Sequence, residues 1–220
     1  NEEADYFATN IRIGNGTILF DFVAKKEGIV MRDMEPGVPA PINVENATAA
    51  LALCLINGCT EDEMRTALKS FKGAKRRFDF YIKREDLVLM DDYAHHPDEI
   101  KASLNSVRQL FAGRHVTVVF QPHLYSRTHD LVEGFAEALS IPDRTILLPI
   151  YPAREQPIQG VTSEWLLNMI ESNDKRCVMQ SELTQCLKSL KDAGKLDVVV
   201  MMGAGVDIER LLPETVECLG

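Results

Sequence analysis

Long apolar runs are missing from this chain of 220 residues: none reaches the roughly 20 residues a helix needs to cross a membrane. Basic charge is scarce as well. Lys and Arg number 24 against 33 Asp and Glu, a net charge of −9, which argues against nucleic acid or an acidic membrane surface as a partner. The five cysteines, Cys54, Cys59, Cys177, Cys186 and Cys218, form no Cys-x-x-Cys pair and sit mostly in apolar patterns, the usage expected of structural thiols in a reducing cytoplasm. The single tryptophan, Trp165, lies among Leu166, Leu167 and Ile170 and reads as core. No internal repeat or low-complexity segment is present. What remains is ordinary globular composition, 45% hydrophobic and 26% charged, enough for one large domain or two small ones. The chain opens on Asn1 rather than Met and runs at once into strand-like sequence, so we expect a piece of a longer protein.

Two regions with different patterning follow one another. Strand-like alternation over Tyr6–Ile13 and Thr17–Val23 flanks Asn15-Gly16, a strong hairpin signal. After the loop Pro36 to Pro41, a helix is expected with Ala47, Ala50, Leu51, Cys54 and Leu55 on one side and Gly58 at its end. Thr60 and Glu63 form a capping box for a second helix carrying Met64, Ala67, Leu68 and Phe71, closed by Gly73. The basic run Lys72 to Arg77 marks a boundary, with one region over 1–75 and another over 76–220. It reads either as a solvated linker or as a phosphate-contacting segment.

Beyond it, Phe78–Ile82 and Leu87–Met90 suggest a hairpin entering a new sheet. Strands Leu87–Met90, Val116–Phe120, Thr145–Leu148, a weaker Cys177–Gln180, and Asp197–Met202 then alternate with helices. Continuous apolar strands of this kind belong to a mostly parallel sheet with helices on both faces. Pro97, Asp98 and Glu99 suit a helix N-terminus; Ser126 or Thr128, Thr162 or Ser163, and Ser181 are candidate caps for the later helices, the last of which ends at Gly194.

In this layout the polar clusters fall at strand ends: Asp91-Asp92-Tyr93-Ala94-His95-His96-Pro97, then Gln121-Pro122-His123-Leu124-Tyr125-Ser126-Arg127-Thr128, then Pro149 to Gln156, then Gly203-Ala204-Gly205. Four of the five histidines lie in or immediately beside the first two. A parallel sheet brings such loops to one edge, so Asp92, His95, His123 and Arg127 are expected to converge. Guanidinium, imidazole and carboxylate together suit a ligand bearing both a carboxylate and an amine. Adjacent histidines lack zinc-ligand spacing, so no metal site is expected. His96 reads as a capping or packing residue and His115 as structural. Gly203-Ala204-Gly205 lacks the third glycine of a dinucleotide fingerprint and reads either as that turn or as a tight turn after a buried strand.

These motifs resemble the Mur ligases, and within that family the alanine-adding branch. The matching segments are Asp91 to Pro97, Phe120 to Thr128, Tyr151-Pro152-Ala153 with Pro157-Ile158-Gln159-Gly160, Asn43-Val44-Glu45-Asn46, and Arg76-Arg77-Phe78. The resemblance implies that 1–75 is the C-terminal portion of a central ATP-binding domain and 76–220 a Rossmann-like amino-acid-binding domain. It implies ATP and Mg²⁺ as cofactors, with UDP-N-acetylmuramate and L-alanine as substrates joined through an acyl phosphate during peptidoglycan precursor synthesis. Carried over by position, Asn43 and Asn46 would approach adenine, and Arg77 and Asp92 the ribose or phosphates across the boundary. Tyr93, His95, His123 and Arg127 would hold the alanine or the muramoyl acceptor end. No residue is carried over as catalytic in the chemical sense.

Three positions depart from the family pattern. Leu124 stands where an Arg is usual, Ile42 where a His precedes the first Asn, and Val206 displaces Asp207 from Gly-Ala-Gly-Asp. No segment reads Gly-x-x-x-x-Gly-Lys-Ser/Thr, so the Mg²⁺ ligands are expected mainly upstream and this chain alone is expected to be inactive. The alternatives are a murein-tripeptide recycling ligase of the same superfamily and a non-catalytic module binding a nucleotide or amino acid.

Overall fold

The computed structural model describes residues 3–220, which divide into two compact units. One runs through Ala74 and takes in Gln109–Ala112; the other comprises Lys75–Arg108 and Gly113–Gly220.

In the first unit, β1 (Tyr6–Gly14), β2 (Thr17–Ala24) and β3 (Ile29–Met34) form an antiparallel sheet in that order. Asn15 and Gly16 both take positive φ, 53° and 71°, as a two-residue hairpin turn requires. Every second residue of β2 is buried, Ile18, Phe20, Phe22 and Ala24, so this strand sets the sheet's inner face. Strand β3 has no clear signal in the sequence because Arg32-Asp33 breaks its alternation. There the register shifts opposite Phe20/Phe22 and Asp33 takes a φ of 54°.

Helix α1 (Pro41–Ile56) starts on a proline and buries Val44, Ala47, Leu51 and Ala52. Helix α2 (Glu61–Ser70) begins with the expected capping box: Thr60 Oγ1 accepts from Glu63 N–H, and Glu63 accepts from Thr60 N–H at 2.8 Å. It ends at Ser70, three residues before Gly73.

The second unit is built on a six-stranded sheet. Its strands are β4 (Asp79–Lys83), β5 (Val88–Asp92), β6 (Val116–Phe120), β7 (Arg144–Leu147), β8 (Lys175–Cys177) and β9 (Val198–Met202), in the order β4-β5-β9-β6-β7-β8. Strand β4 is antiparallel to β5; every other pairing is parallel. The chain forms an α/β, Rossmann-like domain with a mostly parallel sheet. Burial on both faces explains the unbroken apolar strands. Leu87, Leu89, Val119, Ile146 and Met201 pack on one side with Leu183, Leu187, Ile208 and Leu212. Phe120, of the opposite parity, meets Phe135 at a centroid distance of 5.6 Å.

The helices are α3 (Pro97–Leu110), α4 (Tyr125–Asp130), α5 (Val132–Leu139), α6 (Ser163–Met169), α7 (Gln180–Asp192) and α8 (Val206–Leu219). Between β6 and β7 the helical stretch is two short helices that meet at Leu131. The β8 strand ends at Cys177, not Gln180, and β7 begins and ends one residue early.

Of the expected caps, Thr162 is correct: it accepts from Trp165 N–H at 3.1 Å. Ser126 and Ser181 are not caps. Ser126 lies inside α4, and α7 follows Met179 without a side-chain cap. Helix α8, not α7, is the last. Pro213 within it looks like a breaker, yet Ile208, Leu212, Thr215 and Leu219 are buried along one side. Trp165 is only partly buried and stacks on His129 at 6.1 Å, so it is not a core residue.

Candidate functional site

The carboxyl ends of β5, β6, β7 and β9 carry the polar clusters, as a parallel sheet dictates. After β5 the chain turns into α3. Glu99 Oε2 accepts the N–H groups of His95 (3.1 Å) and His96 (3.3 Å), while His96 Nδ1 accepts from Asp98 N–H at 3.4 Å. His96 is therefore the helix cap, the reciprocal arrangement of a capping box with an imidazole in the place of a hydroxyl. This frees His95 for the site. Its Nδ1 lies 3.0 Å from Tyr93 O, and its ring sits 5.3 Å from the Tyr93 ring and 6.4 Å from that of His123.

His123 in turn stacks on Tyr151 at 5.5 Å. An isolated parallel bridge pairs these two residues beyond the strands proper. Leu124 N–H bonds to Tyr151 O (2.9 Å) and Tyr151 N–H to Pro122 O (2.8 Å). Tyr93, His95, His123 and Tyr151 thus form one continuous row of rings. Leu124 completes the turn with a φ of 73°, a conformation that costs a non-glycine residue about 1–3 kcal/mol and persists only where its surroundings enforce it.

Two buried polar atoms here, His123 Nδ1 and Arg127 Nη1, have no hydrogen-bond partner among the described residues. Burial pushes the His123 pKa below the usual histidine value, and the charge of Arg127 and the nearby His95 add to the effect. His123 is consequently a neutral acceptor or donor at pH 7 beside a fixed cation. Buried groups without partners are uncommon, and a donor–cation pair of this kind fits a ligand carboxylate.

Asp92 accepts from Ser103 Oγ at 2.6 Å and from Ala94 N–H at 3.2 Å; burial still raises its pKa against those bonds. Arg77 is exposed and near enough to lower the Asp92 pKa. Its neighbour Arg76 corrects the reading of the basic run as wholly solvated. Arg76 is 8% exposed, takes a φ of 62°, and donates from Nε to Asp91 (2.9 Å) and from Nη2 to Gly203 O (2.7 Å). Its guanidinium lies 5.3 Å from the centroid of the Tyr93 ring, and Tyr93 N–H bonds to Arg76 O at 2.7 Å. The positive run in the sequence signals charge; it does not signal which arginine turns inward.

The segment Gly203-Ala204-Gly205 is a close-packed turn. A Cβ on Gly203 would stand 2.8 Å from Gln121 O, and one on Gly205 2.3 Å from Gln121 Oε1. Gln121 Nε2 donates to Pro149 O (3.2 Å) and Asp207 (2.8 Å), so Asp207 retains a buried partner despite its one-residue displacement. Tyr151, stacked on His123, and Gln121, packed under the glycine turn, adjoin the site; both lie in segments quoted from the sequence, but nothing there assigned either a role of its own.

Asn43 and Asn46 belong to the first unit. They help line a cavity of about 350 Å³ with Val38, Leu51, Cys54 and Phe71. Asn43 Nδ2 donates to Val38 O (3.1 Å) and Asn46 Nδ2 to Asn43 Oδ1 (3.3 Å). Apolar walls edged by amides fit a base rather than a phosphate. Ile42, where the pattern has His, is 61% exposed and adds no polar group. Among the described residues no group of three or more His, Cys, Asp or Glu is placed to hold a metal ion.

The family described as Mur ligase, glutamate ligase domain, matches residues 76–205. The chain is 46% identical over 218 residues to UDP-N-acetylmuramate–L-alanine ligase of Parabacteroides distasonis, covering 99% of this chain and 46% of that protein. It is 46% identical over 212 residues to the enzyme of the same name from Porphyromonas gingivalis, covering 96% and 45%. The chain therefore spans a little under half the length of these relatives. Among solved structures, a UDP-N-acetylmuramate–alanine ligase from Thermotoga maritima superposes with a TM-score of 0.75 at 23% identity, covering 97% of this chain and 45% of that one. A folylpolyglutamate synthase from the same organism shares the fold at a TM-score of 0.70 and 17% identity. With the family pattern spanning most of the second unit, including the row of rings and its arginine, the chain belongs to the Mur ligase family.

Proposed function

We propose that this chain forms the amino-acid-binding part of a cytoplasmic ATP-dependent ligase that joins L-alanine to UDP-N-acetylmuramate. The observation that carries the proposal is two partnerless buried atoms, Arg127 Nη1 and His123 Nδ1, four residues apart where the chain turns from β6 into α4. Arg127 takes the alanine carboxylate through two aligned N–H donors, and neutral His123 adds a directional hydrogen bond. Tyr93 and His95 form the adjoining wall and contact the muramoyl acceptor end. Asn43 and Asn46 hold adenine, while Arg77 and Asp92 contact ribose or phosphate. ATP, when bound, supplies the phosphoryl group that activates the muramoyl carboxyl as an acyl phosphate. The contribution of these side chains is to orient the amine toward that carbon, a gain of proximity rather than of proton transfer.

The names of the relatives from Parabacteroides and Porphyromonas support alanine as the acceptor. The direct test is phosphate release by the full-length protein containing this sequence, with UDP-N-acetylmuramate and ATP, comparing L-alanine with the murein tripeptide. Turnover with alanine alone is expected; turnover with tripeptide alone would transfer the assignment to the recycling ligases. This chain by itself, lacking a Gly-Lys-Ser/Thr phosphate loop, is expected to release no phosphate. Tight calorimetric binding of alanine or ADP without turnover in the full-length protein would favour a binding module instead.

A further inference from the structure

Glu155, on the loop after β7, has no part in the reading above. Its backbone N–H closes a turn onto Pro152 O at 2.9 Å, and its carboxylate reaches across to the start of α4. There Oε2 accepts the Ser126 N–H at 3.0 Å and Oε1 accepts the Ser126 hydroxyl. Tyr125 and Ser126 are the first two residues of α4, and the residue before them, Leu124, supplies no side-chain cap. The first amides of a helix have no acceptor within it. Glu155 therefore caps α4 from a different loop.

A remote cap has unusual leverage here. Helix α4 has six residues, too few to hold its own first turn. It follows Leu124, whose positive φ needs outside restraint. His123 stands immediately before that residue and Arg127 is the third residue of the helix, so both carboxylate-binding groups ride on this one turn. Its other fastenings include the backbone bonds to Tyr151, the stack of His123 on Tyr151 and that of His129 on Trp165, none of which satisfies the first amides of the helix.

We propose that Glu155 is the positioning residue of the amino-acid clamp: by capping α4 from the β7 loop it aims Arg127 and His123 at the substrate carboxylate. The proposal rests on the alanine reading for its substrate and on geometry alone for the anchoring. The hydrogen bonds from Ser126 keep Glu155 below the usual carboxylate range, so the cap is ionised throughout the neutral region.

The test uses Glu155→Ala and Glu155→Gln in the full-length protein, with L-alanine kinetics and site-resolved hydrogen exchange on the same samples. Glu155→Ala is expected to raise KM for alanine about tenfold with kcat changed less than about threefold, because a loosened clamp weakens capture more than chemistry. Exchange at the Tyr125 and Ser126 amides accelerates by about the same factor while β6 and β7 stay protected. Glu155→Gln, which keeps an acceptor oxygen, restores most of both. An unchanged KM in Glu155→Ala overturns the proposal, as does an equal loss in both variants accompanied by faster exchange throughout the unit. A wild-type protein that turns over no alanine refutes the substrate reading on its own. In that case exchange at Tyr125 and Ser126 still decides whether Glu155 anchors the turn.

Discussion

Removing the guanidinium of Arg76 while leaving Asp91 in place tests the electrostatics beneath the site. Asp91 is fully buried, and burial already raises its pKa despite the ion pair with Arg76. In Arg76→Met the carboxylate loses the guanidinium it is paired with, Oδ1 remains without a partner among the described residues, and Gly203 O loses its donor. Breaking such a pair from one side costs about 3–5 kcal/mol, against a total stability of roughly 5–15 kcal/mol for a domain. For a unit of this size that corresponds to a fall in Tm of roughly 6–20 °C.

Urea unfolding followed by the fluorescence of Trp165, the chain's one tryptophan, reads the second unit. Because the folded pKa of Asp91 is raised, and rises further without Arg76, its contribution favours the folded state below the unfolded carboxyl pKa. That contribution is lost as pH rises through the folded value. The Arg76→Met deficit should therefore be largest at neutral pH and shrink toward pH 4. The double variant Arg76→Met/Asp91→Leu should recover most of the loss, since an apolar pair carries no desolvation penalty. A neutral-pH loss under about 1 kcal/mol, or strict additivity of the two changes, would refute this reasoning.

Other outcomes follow from the same geometry. Arg127→Lys is expected to raise KM for alanine about 10- to 100-fold in the full-length protein, since an ammonium cannot present two aligned donors; steady-state kinetics check it, and a change under twofold would remove Arg127 from the carboxylate site. His123 should titrate below 6.5 by NMR and shift upward in Arg127→Ala; its depressed pKa supports the fold above about pH 6.5 and withdraws that support as pH falls through the folded value. Asp92→Asn should leave the second unit as stable or stabilise it by about 0.5–2 kcal/mol at pH 7–8 in urea titrations, because the ionised group is buried at a cost. The same variant should lower activity sharply; a destabilised but fully active Asp92→Asn protein would contradict both halves of the argument.

The parallel sheet was legible because β5, β6 and β9 are continuous apolar runs, and the hairpin because Asn15-Gly16 has a single favoured geometry. Strand β3 was not, since Arg32-Asp33 interrupts its period at a bulge. Helix α8 was hidden by Pro213, whose effect on a helix depends on whether the freed carbonyl meets solvent. Within the site, His95, His123 and Arg127 announce themselves by residue type and placement after strands. Arg76 and Glu155 do not: a buried arginine and a remote helix cap are defined by partners 127 and 29 residues away, Gly203 and Ser126. No local pattern encodes such pairings.

The position of β9 has a consequence for how the chain acquires its site. Strands β5 and β6 carry the two histidine-bearing loops, yet they do not pair; β9, the last strand made, lies between them. During synthesis both apolar strands must wait with open edges until Val198–Met202 leaves the ribosome, a long-range closure of the kind that folds slowly and invites aggregation. The edge that carries the candidate site is thus assembled by the final step of folding. A chain stopped short of Val198 would present the row of histidines without the strand that sets their separation.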